Sequence, residues 1–232
     1  MMKNKLEKIS HDGLYWALAI LPLIITLLVL PAVPDTVPAH YGLNNQVDRW
    51  GSKYELFLMP VLTLVLAPFF RGLFDMSLSG ESTHSEAEQK SNQKTVRVAN
   101  YCLVVLLNLA AYFMLFTSLN KVTNLSGIGY NRIMSAVLCL MFIVIGNYLP
   151  KCKQNAFIGI RVKWTLENEE VWYRTHRFGG KVFMIGGLIS AICCIFVPES
   201  FALLFAVVTV LILSIIVCVY AHNIFYKLKN QN

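Results

Sequence analysis

Apolar residues along this chain gather into six runs, at about 13–31, 54–71, 98–119, 133–149, 182–197 and 201–221. A helix that crosses a bilayer needs roughly 20 predominantly apolar residues, within a range of about 17–25. The runs match that length, the fifth falling a little short, and none carries Asp, Glu, Lys or Arg in its centre. The pattern predicts an all-α integral membrane protein with six transmembrane helices. Because the first run is long and ends at Pro31-Ala32-Val33-Pro34-Asp35 without a small-x-small cleavage pattern, it is expected to be a retained span.

The polar stretches differ in character. Residues 1–12 form a short basic tail. Between the first two spans, three prolines extend the first half of the 31–53 loop. Ala39-His40-Tyr41 and Val47-Asp48-Arg49-Trp50 bracket the turn-prone Gly42-Leu43-Asn44-Asn45, which predicts a small hairpin. Ser52-Lys53-Tyr54-Glu55 reads as a capping box opening the second span. Residues 75–95 are rich in Ser, Glu, Gln, Asn and Lys, as a solvated linker would be. The third span bears Asn100 and Asn108 on nearly one helix face, where hydrogen bonding between helices is the plain reading. The domain organisation expected is an N-terminal unit 1–74, a polar linker 75–96 and a four-span unit 97–232.

The segment 150–181 is polar, basic and Trp-bearing although apolar runs flank it. Thr165 suits an N-cap, with Glu167, Glu169 and Glu170 in the first turns and Arg174, His176 and Arg177 in the last. Gly179-Gly180 would then be a C-cap or hinge. This predicts an interfacial helix on the membrane surface, with Trp172 at headgroup depth.

Composition supports the membrane reading. The chain is 56% hydrophobic and 14% charged, against about 25% charged in soluble domains. Lys and Arg collect on cytoplasmic flanks. With both termini cytoplasmic, sixteen of the 20 basic residues fall inside, and only Arg49, Lys53, Lys121 and Arg132 outside. The hairpin-like loop is then extracellular and 150–181 cytoplasmic. The formal charge of +7 is a topology signal rather than a nucleic-acid footprint, because it is spread over several loops. The six Cys all lie outside the predicted outer loops, so no external disulfide is expected.

Chemistry-bearing patterns are few. The five His are scattered, with no metal-ligand spacing among them. An outer site built from His40, Asp35 and Asp48 competes with a loop tied by its own hydrogen bonds, and no metal or cofactor is expected. Nucleophile motifs and phosphate-cradling glycine loops are missing, which argues against an enzyme. Mid-span ionisable residues, the mark of proton-coupled transport, are missing too. Recognition at two surfaces remains. The outer candidates are His40, Tyr41, Asn44, Asp48, Arg49, Trp50 and Lys53. The inner candidates are Asn155, Phe157, Gly159, Arg161, Trp164, Thr165, Glu170, Trp172, His176, Arg177, Gly179 and Gly180. Structural tethering accounts for about half of these residues, and Trp and Arg rank highest as anchors.

Two segments carry a family resemblance. Pro34-Asp35-Thr36-Val37-Pro38-Ala39-His40-Tyr41 and Asp48-Arg49-Trp50-Gly51-Ser52-Lys53 resemble the N-terminal domain of unknown function found in the SdpI family of bacterial membrane immunity proteins. Gly146-Asn147-Tyr148 through Asn155, Phe157-Ile158-Gly159-Ile160-Arg161, Trp164-Thr165-Leu166, Glu170-Val171-Trp172 and His176-Arg177 with Gly179-Gly180 resemble that family's C-terminal signature. The chain departs from it at Gln154, where Pro is expected, and at Val162-Lys163, where Thr-Pro is usual, which predicts looser turns around Arg161. The resemblance implies a multi-pass protein of the bacterial cell membrane. It implies protection of the producing cell from a secreted antimicrobial peptide related to a sporulation-delaying killing factor. It also implies a signalling role, in which a cytoplasmic transcriptional repressor is held at the membrane once toxin is bound. Small-solute transport or envelope homeostasis, with Asn100, Asn108 and Asn147 along a path, is the alternative from a different class.

Overall fold

The computed structural model describes residues 2–79, 86–155 and 158–231. Its elements are α1 (Met2–Val29), β1 (Thr36–Tyr41), β2 (Val47–Ser52), α2 (Leu58–Ser79), α3 (Glu86–Leu119), α4 (Tyr130–Tyr148), α5 (Lys163–Glu167), α6 (Glu169–Phe196) and α7 (Glu199–Lys229). Six of the helices are long and apolar enough to cross a membrane. The expected basic tail is helical from Met2, continuous with the first span. Residues 75–79 and 86–96 of the expected linker are helical, and residues 80–85 lie outside the described residues.

The chain divides into two compact units. The first comprises residues 1–72 and 100–128. Here α1, α2 and the later turns of α3 pack through Tyr15, Ala19, Ala67 and Val104. A second cluster, Val33, Val37, Leu56 and Leu115, seats the hairpin on the helices. Asn108 donates from Nδ2 to the Leu18 carbonyl of α1 at 3.0 Å, and Asn100 to the Phe70 carbonyl of α2 at 3.3 Å. The expected interhelical bonds are therefore present, and each side chain satisfies a neighbour's backbone. Replacing Asn108 with Leu should lower thermal stability in detergent by about 0.6 kcal/mol, the average for such bonds in membrane helices. A melting curve unchanged from wild type would contradict that role.

The second unit comprises residues 73–99 and 129–232. Its centre is α6, flanked by α4 and α7. Glycines make the contacts close. A Cβ on Gly180 would lie 2.7 Å from the Gly146 carbonyl oxygen of α4, and one on Gly187 2.9 Å from Ile143 Cγ1. A Cβ on Gly179 would lie 3.0 Å from Val217 Cγ1 of α7, and one on Gly186 2.5 Å from Leu213 Cδ1. Each pair is seven residues apart, close to two helical turns, so one glycine stripe faces α4 and the other faces α7. Cys194 continues the first stripe, buried with Cys139 and Ala206.

The separate interfacial helix expected before the fifth span is not what forms. α6 runs unbroken for 28 residues, about 42 Å at 1.5 Å per residue. That exceeds the roughly 30 Å apolar core, so polar first turns and an apolar span share one helix. Asn168, not Thr165, caps it, accepting the Val171 N–H at 3.0 Å. Gly179 and Gly180 are interior helix positions chosen for close packing, not a C-cap or a hinge.

Candidate functional site

The outer-loop hairpin is present. β1 and β2 pair antiparallel, with Thr36 opposite Ser52, Pro38 opposite Trp50 and His40 opposite Arg49. Its turn is closed by Gly42 N–H to the Gln46 carbonyl at 2.9 Å and by Asn45 in a left-handed conformation (φ 62°). The loop after α3 holds the far end: Val47 N–H donates to the Thr123 carbonyl and Leu125 N–H to the Asn45 carbonyl.

Sequence-nominated residues in this hairpin fall into two groups. Tyr41, Asn44 and Lys53 hold its shape. Tyr41 donates its hydroxyl to the Val122 carbonyl at 2.8 Å, and Asn44 Oδ1 accepts the Gln46 N–H. Lys53 Nζ sits 2.8 Å from Asp35 Oδ1, and this bond holds the Asp35 carboxyl below the usual carboxylate range. His40, Asp48, Arg49 and Trp50 are exposed. His40 Nδ1 pairs with Asp48 Oδ1 at 2.6 Å, so those two groups meet while Asp35 is engaged by Lys53. Arg49 grips both Glu55 oxygens, at 3.3 and 2.9 Å. Half of the expected capping box forms: the Glu55 carboxylate takes the Ser52 backbone N–H as well as Arg49, while Ser52 Oγ accepts from Tyr54 N–H rather than from Glu55 N–H. Half of Trp50 is exposed (50%), with Leu43 and Tyr54 also exposed nearby in sequence. Arg49 and Trp50 are consecutive in β2, so one face of the hairpin presents an oriented guanidinium and the other an exposed indole, both residue types favoured as interface anchors.

Residues 150–155 and 158–168 form a hydrogen-bonded knot folded onto the first turns of α6. Asn155 knits its own turn, accepting Ile158 N–H at 2.8 Å and donating to the Lys153 carbonyl at 2.7 Å. Thr165, fully buried, accepts Val162 N–H and donates to the Ile160 carbonyl. Gln154 Nε2 donates to the carbonyls of Thr165 and Leu166, at 2.8 and 2.9 Å. The departure from the family pattern at Gln154 therefore fastens this turn instead of loosening it. On the other side, Asn92 of α3 accepts Lys153 N–H at 2.7 Å, and Glu88 pairs with Lys153 Nζ.

Trp172 is 2% exposed, with its Nε1 donating to the Cys152 carbonyl at 2.9 Å and its ring stacked on His176 at 4.1 Å. It is a core anchor, buried within the protein rather than facing outward. His176 uses both ring nitrogens: Nδ1 lies 2.8 Å from the Trp172 carbonyl, and Nε2 lies 3.0 Å from Ile160 N–H. Those partners require Nδ1 to carry the proton and Nε2 to accept, hence a neutral ring. Gly159 brings the loop against this pair. Its φ is +108°, and a Cβ there would lie 2.4 Å from His176 Nε2. Burial pushes the Cys152 thiol up to about 12, against a smaller opposing effect from Asn155, so the sulfur is held as an unreactive thiol.

The remaining inner candidates are peripheral. Trp164 meets His222 edge-on at 4.9 Å. Arg161 is exposed, without an ion-pair partner among the described residues. Glu170 pairs with Arg174, and Arg177 donates to the Tyr173 hydroxyl at 2.8 Å. Phe157 lies outside the described residues. Cys152, Asn168, Gly186 and Gly187 were not named as site candidates from sequence, and Gln154 and Ile160 entered only through the family pattern. Only the glycines carry a pattern, the seven-residue spacing, that could have exposed them.

Six membrane-length helices, a small docked hairpin and a knotted loop between the fourth and fifth spans define a multi-pass cell-membrane protein. Residues 151–221 match the SdpI/YfhL protein family, and residues 17–64 match a domain of unknown function, DUF1648. The immunity protein SdpI of Bacillus subtilis (strain 168) is 24% identical over 210 residues, covering 90% of this chain and 93% of that protein. No solved structure matches the chain.

Proposed function

We propose that this chain is a membrane immunity protein that recognises a secreted toxic peptide and protects the cell that carries it. The observation that carries the reading is the near full-length similarity to a protein named for immunity. The exposed Arg49 and Trp50 support an outward recognition surface, and the crowding of Lys and Arg on the other loops supports placing both termini and the knot in the cytoplasm. Asn100 and Asn108 are already engaged with neighbouring carbonyls, which favours this reading over a transport path. In the same scheme, a cytoplasmic repressor docks on the exposed side of the knot. The rim of a cleft of about 620 Å³, lined by Gln154, Glu169, Glu170 and Tyr173, forms that side, and Arg161 is a further exposed cation of the same segment. Trp172 would transmit occupancy only through packing, since it is buried.

The test is survival. Cells sensitive to a sporulation-delaying killing peptide are given this chain and challenged with the peptide. Survival above the empty-vector control is expected, and unchanged killing at normal protein level removes immunity as the function. An impermeant thiol reagent on intact cells checks the orientation. Leu43→Cys should label above the parent background and Arg161→Cys should not.

A further inference from the structure

Beside the knot, a second cleft opens between α6 and α7, with a volume of about 410 Å³. Its walls carry Glu170, Tyr173, Arg174, Arg177, Phe178 and Lys181 of α6 and Tyr220 of α7. Phe178 and Tyr220 stack at 4.1 Å between the two helices. The Arg174 charge is offset by Glu170. Arg177 and Lys181 have no carboxylate partner among the described residues, and both are exposed. They lie four residues apart, on one helix face. Arg177 is also held in place, since it donates to the Tyr173 hydroxyl and its guanidinium lies 5.5 Å from that ring.

The same face changes character abruptly. Lys181 is the last charged residue of α6, and the helix runs uncharged from Val182 to Phe196. Ile185, Leu188 and Ile192 continue the face toward the span, at 58%, 55% and 50% exposure. Two uncompensated cations in a cleft, followed by an exposed apolar stripe, match a molecule with an anionic head and a hydrocarbon tail. We propose that this cleft binds an anionic phospholipid, its phosphate between Arg177 and Lys181 and one acyl chain along Ile185, Leu188 and Ile192. Basic clefts between membrane helices at the headgroup level suit such lipids. The stripe distinguishes this ligand from a soluble phosphate, which would use the cations alone. The proposal does not depend on the immunity reading.

The experiment is native mass spectrometry of the full-length protein released from detergent with equimolar phosphatidylglycerol and phosphatidylcholine. Wild type should retain phosphatidylglycerol about 30-fold over phosphatidylcholine, given two nearby cations. Arg177→Gln with Lys181→Gln should bring the ratio close to one, with a melting curve in phosphatidylcholine like that of wild type. Lys227→Gln with Lys229→Gln, which removes two exposed cations elsewhere on α7, should keep the preference. Photoreactive phosphatidylglycerol on the wild-type protein gives a readout that needs no variant: adducts should map to residues 173–192 or to α7 near Tyr220. Equal retention of the two lipids, an equal loss in the Lys227 and Lys229 control, adducts elsewhere, or displacement by glycerol phosphate at the same concentration would each overturn the proposal.

Discussion

Gly159→Val is expected to unfold the knot between the fourth and fifth spans, with a large loss of stability. Two effects add. With φ at +108°, Gly159 occupies backbone space that a β-branched residue adopts only with strain, worth about 1–3 kcal/mol. The new Cβ would also fall 2.4 Å from His176 Nε2, where Ile160 N–H now donates. Pushing the ring away leaves a buried acceptor and a backbone donor without partners, at about 1–3 kcal/mol. The total is on the order of 3 kcal/mol or more, read as a lower melting temperature in detergent and reduced protein level in cells. His176→Gln, which can still accept a hydrogen bond, should cost less than His176→Ala. A Gly159→Val protein that melts with wild type would show that the loop does not need this approach.

Gly180→Leu is expected to separate α4 from α6. The space a Cβ would need holds the Gly146 carbonyl at 2.7 Å and the Pro150 ring at 2.7 and 2.9 Å. Neither a helix carbonyl nor a proline ring can turn aside like the end of a flexible side chain. The helices must therefore move apart, breaking packing along the Gly180–Gly187–Cys194 stripe. Overpacking a tight core costs about 1–3 kcal/mol, and a backbone obstacle places this case at the upper end. Gly72→Leu is the control, because a Cβ there would meet nothing within 4 Å. A thermal melt of both variants decides the point: equal melting temperatures would contradict tight α4–α6 packing.

The six spans were legible because lipid imposes a length and a composition that hydropathy reports directly. The hairpin was legible because Gly42-Leu43-Asn44-Asn45 is local turn chemistry and needs no distant partner. What was lost is non-local. Apolar content falls away before Lys181, so a hydropathy reading starts the fifth span there, although backbone bonding carries the helix back to Glu169. Trp172 looked like an interfacial aromatic because sequence cannot show that Cys152 and His176 close around it. Gln154 looked like a defect because its two acceptors lie 11 and 12 residues away. In the hairpin, the candidate residues were found together, but their division into shape-keeping and exposed groups depended on Val122, Asp35 and Glu55 as partners.

Direct binding at the hairpin is the sharpest test of the recognition account. Full-length protein in nanodiscs is titrated with a fluorescently labelled sporulation-delaying killing peptide, alongside Trp50→Ala and Leu119→Ala, an exposed position on α3 outside the hairpin. Saturable binding is expected, weakened about 30-fold by Trp50→Ala, as for an interface anchor worth about 2 kcal/mol, and left within about twofold by Leu119→Ala, as for a position that anchors nothing. Equal affinity of the wild-type and Trp50→Ala proteins, or no saturable binding to wild type, would contradict the account.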